Sequence, residues 1–272
     1  MKTPATPFVF PHLSRWHKTR LLNHAAKVLE TQQKMSSDPY KNIVHYTLND
    51  DQQHLSGIHY PKGDRIDFST GAQYFYHCHR EDMDTEEHGH FHCFIRYEKI
   101  PRRISHSYPP DVKNHTHPPM SHLVAIAMNR YGQPIRLFAV NQWVSSEIWY
   151  DGEHAEWFTR RFRMTLSDSP HWQVLDAWVS GMIQLFAPQI HWLLCERSRV
   201  VAAASADASM ESVFNDESLE ELASIPIDLT QQIHWILKNR PQKTGTAETR
   251  TSSAGFTDSD DNRQPAIPLL KV

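Results

Sequence analysis

The chain has 272 residues, a formal charge of −3, 39% apolar residues and 22% charged ones. That length supports one large folded unit or two small ones with a real hydrophobic core. Three cysteines cannot staple such a chain, it holds no apolar run of the roughly 18 residues a membrane span needs, and its near-neutral balance lacks the basic footprint of a dedicated nucleic-acid binder.

The opening, residues 1–13, carries three prolines and reads as an extended arm without the basic-then-apolar pattern of a secretory signal, so a cytoplasmic location is expected. Ser14 is placed to cap a helix reaching about Met35, with Leu21, Leu22, Ala25, Val28 and Leu29 forming one apolar stripe. Residues 40–68 are polar and mixed, with turn signals at Gly57 and at Pro61-Lys62-Gly63-Asp64. Strands are expected over 73–80 and 88–97, followed by a proline-rich loop. A hairpin then pairs 122–128 with 135–140 across a turn at 129–134, and 141–150 can continue the sheet.

From Glu153 the pattern turns helical. An amphipathic helix is expected over 153–164, and a long apolar helix or kinked pair over 171–199, with Pro188 in the first turn of the second half. A loop or frayed helix end follows at 202–210, then two short helices over 216–224 and 228–239, the latter opened by Asp228 with Gln231 three residues on. Residues 241–272 collapse to small and polar types and read as a disordered tail. The fold class is α+β: one domain over 14–240, with a mostly antiparallel sheet between an N-terminal helix and a helical C-terminal part.

Histidine is the compositional anomaly: 19 residues, against 9 glycines. Twelve lie between His45 and His122, and five fall in Tyr76-His77-Cys78-His79-Arg80 and Glu87-His88-Gly89-His90-Phe91-His92. Alternate residues of a strand share a face. If His77 lies opposite His90 on a neighbouring strand, His77, His79, His88, His90 and His92 all share one face, and Tyr74, Tyr76, Cys78, Phe91 and Cys93 share the other. A slip by one residue would separate the two sets. Neutral imidazole is the commonest nitrogen ligand for transition metals. The five histidines are therefore candidate ligands for a divalent ion such as Zn, Fe or Mn. Glu81 and Glu87 flank the strands and can act as ligand, general base or orienting carboxylate. The other carboxylates of Glu81-Asp82-Met83-Asp84-Thr85-Glu86-Glu87 read as a solvated hairpin tip. His115 and His117 sit in a surface loop. His122 is either a sixth inward imidazole or a core histidine. Trp143, Trp149 and Trp157 can wall a pocket or pack the core, and Cys78, Cys93 and Cys195 lack metal-ligand spacing.

Three resemblances attach to these residues. His-x-His on a sheet resembles the metal sites of cupin barrels, without their downstream Glu spacing. The blocks Gly71 to His79, Glu87 to His92, Ser121 to Ile126, Pro134 to Phe138 and Asn141 to Val144 resemble an uncharacterised bacterial family catalogued as a domain of unknown function, over most of the chain to about Ile233. His88-Gly89-His90-Phe91-His92-Cys93-Phe94 is similar to the histidine-triad motif, although Gly89 replaces a bulky apolar residue. That similarity implies a metal-independent nucleotide hydrolase or transferase with His90 as nucleophile. The residues themselves point to a metal-binding protein, either an enzyme acting on an unidentified small molecule or a non-enzymatic metal-binding or pH-sensing protein. Neither a nucleic-acid nor a membrane partner is expected.

Overall fold

The computed structural model describes residues 8–37, 42–49, 57–78, 86–107 and 119–238. The expected tail at 241–272 and most of the N-terminal arm lie outside the described residues.

Helix α1 (Arg15–Met35) begins where the sequence placed it: the Ser14 hydroxyl accepts from the His17 backbone N–H at 3.3 Å. Leu21, Ala25, Val28, Thr31 and Met35 recur at three- and four-residue spacing and are buried. A short helix α2 (Ile43–Leu48) and strand β1 (Tyr60–Ile66) follow in the stretch whose mixed composition concealed both. Next come β2 (Ala72–Cys78), β3 (Glu87–Arg96), β4 (Met120–Asn129) and β5 (Pro134–Val140), close to the expected strands.

Residues 141–150 do not continue the sheet. Asn141 caps a one-turn helix, α3 (Gln142–Ser145), its side chain accepting from Gln142 N–H. Helix α4 (Ala155–Arg161) is shorter than its amphipathic pattern suggested. The long apolar stretch is a pair, α5 (Pro170–Leu185) and α6 (Ala187–Ala204), broken at Phe186. Over the expected loop or frayed end, α6 runs on through 202–204, a turn occupies 205–209, and α7 (Met210–Phe214) follows. The expected helix over 216–224 is instead a turn and strand β6 (Glu221–Pro226). Glu-Glu-Leu-Ala is a good helix former, but pairing with the open edge of β5 overrides that preference. Helix α8 (Leu229–Lys238) opens as expected, with Asp228 accepting from Gln231 N–H at 2.7 Å.

All six strands form one antiparallel sheet in sequential order, β1 to β6. One face carries Tyr74, Tyr76, Phe91, Cys93, Ile126 and Leu137 into the main core with α1, α5 and α6. Trp178 of α5 packs on Phe91 with ring centroids 5.5 Å apart. Gly181 lets α1 approach α5, since a Cβ there would lie 2.8 Å from Val28 Cγ2. On this same face a buried Arg65 binds Asp176 (2.6 and 3.2 Å) and reaches Asp168 with a bidentate pair (2.8 and 3.0 Å), while the Tyr74 hydroxyl donates to Asp176 at 2.8 Å. The cluster fastens the sheet to the start of α5. The opposite face carries the histidines.

Candidate metal centre

The hairpin of β2 and β3 decides which imidazoles meet. His77 stands directly opposite His90 and Phe75 opposite His92, so the sequence-derived register holds. Cys78 and Cys93 are buried on the other face, as the alternation required. Facing residues of the neighbouring strands are small: Ala127 lies opposite His90 and Ala125 opposite His92. Phe75, Phe94 and Phe138 stand against His92, and Phe138 against His90, making an apolar surround for neutral rings.

Within that surround the polar atoms form a line. The Glu87 carboxylate lies 2.6 Å from His90 Nδ1, His90 Nε2 lies 2.9 Å from His92 Nε2, and His92 Nδ1 lies 3.0 Å from His122 Nε2. Glu87 is also held by Arg136 at 2.8 and 3.1 Å, and Arg136 bridges on to Glu221. At the other end the His122 backbone N–H donates to Glu147, at 2.9 Å, and Glu147 pairs with Arg197 at 2.9 Å; both side chains are buried. Burial raises the Glu147 pKa, against the pull of Arg197 and three hydrogen bonds. Burial, reinforced by the neighbouring imidazoles His90, His122 and His77, holds His92 well below the usual histidine range. Burial, with Arg197 nearby, lowers His122 to about 3. These two imidazoles are neutral, the form that binds metal.

Among the described residues, one group of three side chains could hold a metal ion: His77, His90 and His92, each with a ligand atom within 4.8 Å of the others'. His90 and His92 are buried, and His77 stands half-buried at the rim.

Of the five histidines expected on this face, the described residues bring together three. His79 and Glu81 lie outside the described residues, as do His115 and His117. His88 is described and does not join the group. The β3–β4 pairing is irregular between Glu87 and Gly89, and this bulge turns His88 onto the core-side Tyr76, whose hydroxyl lies 2.8 Å from His88 Nδ1. Gly89 permits the turn, because a Cβ there would fall 2.2 Å from the His77 carbonyl oxygen and 2.7 Å from the Tyr76 hydroxyl. Glu87 flanks the cluster as its carboxylate.

A second bulge brings in a residue that strict alternation assigns elsewhere. Ala125 faces the histidines, so His122, three positions earlier, should face away. Between the Cys93–Val124 and Phe94–His122 pairs β4 carries an extra residue, and His122 turns to the imidazole side. Arg136 and Glu221 were missed as well. Arg136 lies across the sheet from Ala127, and Glu221 sits on a strand read as helix, so no local signal joined them to Glu87. Trp149 and Trp157 do not wall this site: Trp157 packs against the main core. Trp149 packs with Phe214 and Val213 in a separate small cluster, under the Arg197 guanidinium.

A family model described as a domain of unknown function, DUF6969, matches residues 22–227. The chain belongs to the DUF6969 family. No curated protein and no solved structure matches it. The DUF6969 match spans α1 through β6, so it contains the whole histidine face, His122 and the Arg136–Glu221 bridge. Among the described residues, no helix of this DUF6969 chain is long and apolar enough to cross a membrane.

Proposed function

We propose that this DUF6969 protein binds a divalent transition metal such as Zn, Fe or Mn through His77, His90 and His92, and that the bound ion is catalytic. The observation that carries the reading is the way the buried pair is held. His90 and His92 present Nε2 atoms to each other, while the Nδ1 atom of each is engaged by Glu87 and His122 respectively. Outer partners that hold the second ring nitrogen are what fixes a ligating histidine in tautomer and orientation. Ligand bonds of about 2.0–2.1 Å place two nitrogens roughly 2.9 Å apart at a right angle and about 3.4 Å apart at the tetrahedral angle. The buried pair, at 2.9 Å, already matches the narrower of these. His77, at the half-buried rim, closes inward to complete the set.

Three protein donors leave coordination positions for water or substrate, as in catalytic sites. The ion would act there as a Lewis acid or activate bound water toward a small molecule entering past His77. Glu87, clamped by Arg136, orients His90. The histidine-triad reading aligns His88, His90 and His92 on one face, whereas here His88 turns to Tyr76. The metal reading therefore ranks first.

The test is elemental analysis of tag-free protein, loaded with each metal under reducing conditions and freed of excess. One equivalent in the wild type, lost in His92→Ala and weakened in His77→Ala with the fold intact, is expected. Cobalt substitution then gives the absorption bands of a nitrogen-ligated site. No stoichiometric metal in the wild type, or unchanged metal in both variants, overturns the proposal.

A further inference from the structure

Away from the sheet's histidine face, on the helical side of the molecule, residues of α1 and α5 line a cleft of about 480 Å³. Its walls are Arg20, His24 and Lys27 from α1 and Arg163 from the segment before α5, and its floor is Ser180, Gly181 and Gln184. The residues lining it include no carboxylate. Lys27 is matched outside the cleft by Glu30, and Arg160 next to the cleft by Glu156. Among the described residues Arg20, His24 and Arg163 have no carboxylate within ion-pairing distance. The Arg20 guanidinium is fixed by a 3.1 Å hydrogen bond to Gln184 Oε1 and lies over the exposed Trp16 ring at 5.0 Å.

Three groups that are cationic, or become so on protonation, converge without an ion-pairing carboxylate, at a cost to the folded state that a bound anion would relieve. The crowding has its counterpart in the ionisation of the groups. Burial and then Arg160 and Arg163 lower Arg20, with Glu156 opposing them; burial and then Arg20 and Arg163 lower His24. The volume falls within the range of small-molecule sites. Guanidinium groups bind oxyanions with paired N–H donors, and the neighbouring Asn23 amide and Ser180 hydroxyl provide further polar contacts.

We propose that this cleft binds an oxyanion, the phosphate of a small phosphorylated molecule being the best fit to its size and charge. The site is formed by residues of α1, Arg163 and α5, and shares no residue with the histidine centre, so it stands whether or not that centre holds a metal.

The full-length protein is titrated calorimetrically with inorganic phosphate and with a nucleoside monophosphate. In parallel it is sedimented with vesicles containing phosphatidic acid, which separates a free phosphate from a lipid headgroup. Saturable binding in at least one arm is expected. It should weaken with ionic strength, fall about tenfold or more in Arg163→Gln and in Arg20→Gln, and persist in His77→Ala. Arg163 is exposed, so its substitution leaves the fold intact. Absence of binding at millimolar phosphate together with no vesicle association, or wild-type affinity in both arginine variants, overturns the proposal. Binding abolished by His77→Ala also overturns it, by locating the anion at the histidine centre instead.

Discussion

The two faces of the β2–β3 hairpin each bury a polar cluster, and they are built on opposite principles. On the core face Arg65 meets two carboxylates and a tyrosine hydroxyl, with charge opposed to charge at 2.6–3.2 Å. Burial raises Asp176 while Arg65 and Tyr74 hold it down, and the exposed Asp168 is lowered to about 2 by its hydrogen bonds to Arg65, against a small desolvation effect. That cluster is closed: its acceptors already have partners. On the imidazole face Glu87 anchors a line of rings joined nitrogen to nitrogen, two of them neutral by burial. Lone pairs gathered in an apolar surround suit an added cation in a way that the Arg65 cluster does not. A buried charge pair thus fastens a sheet to a helix, whereas buried neutral imidazoles are what the proposed metal site draws on.

That contrast can be broken, and the largest effect should come from the closed cluster. Asp176→Ala leaves Arg65 buried beside only the exposed Asp168, and a loss of about 3–5 kcal/mol of stability is expected. Denaturant unfolding measures it, and the folded fraction should keep its metal. Loss of metal at unchanged stability would mean the two faces are not independent. Glu87→Gln comes next and should act the other way: metal affinity falls about 10–100-fold, while the unfolding midpoint moves little. A competition titration against a chelator reads the first and thermal unfolding the second.

Asp67 extends the closed style to the β1–β2 turn. Its buried carboxylate accepts from the backbone N–H groups of Ser69, Thr70 and Thr165 and from the hydroxyls of Ser69 and Thr165. Burial pushes its pKa up, but these donors outweigh that and hold it below the usual carboxylate range. Asp67→Asn should cost about 1–2 kcal/mol near neutrality. The folded-state pKa is depressed, so this contribution is complete above the unfolded value of about 3.9 and is lost as pH falls through the folded one. The gap between wild type and variant should therefore be flat from neutral pH to about 5 and shrink below about 4. A gap that widens in acid would contradict the assignment. The smallest effect is expected from Tyr76→Phe. It removes the hydroxyl partner of His88 on the core face, costs about 1 kcal/mol and leaves metal content unchanged. A drop in metal content would return His88 to the site.

How much of this was legible beforehand differs between the fold and the site. The alternation of Tyr74, Tyr76, Phe91 and Cys93 against His77, His90 and His92 marked the two faces of the hairpin and offered the His77–His90 register that the structure shows, since a one-residue slip would expose the apolar set. The Ser14 and Asp228 caps and the apolar stripe of α1 were equally plain, since capping and helical spacing are local. Strand β6 was not, because its residues favour helix and only the open edge of β5 makes them a strand.

The sequence by itself determined that imidazoles gather on one face of a hairpin, since strand periodicity is a property of neighbouring residues. Only the tertiary structure decided which imidazoles meet. Two bulges, one turning His88 away and one turning His122 in, depend on backbone pairing between strands. The clamp on Glu87 joins residues 49 and 134 positions away, Arg136 and Glu221. Such contacts arise from packing across the sheet, and no local pattern encodes them.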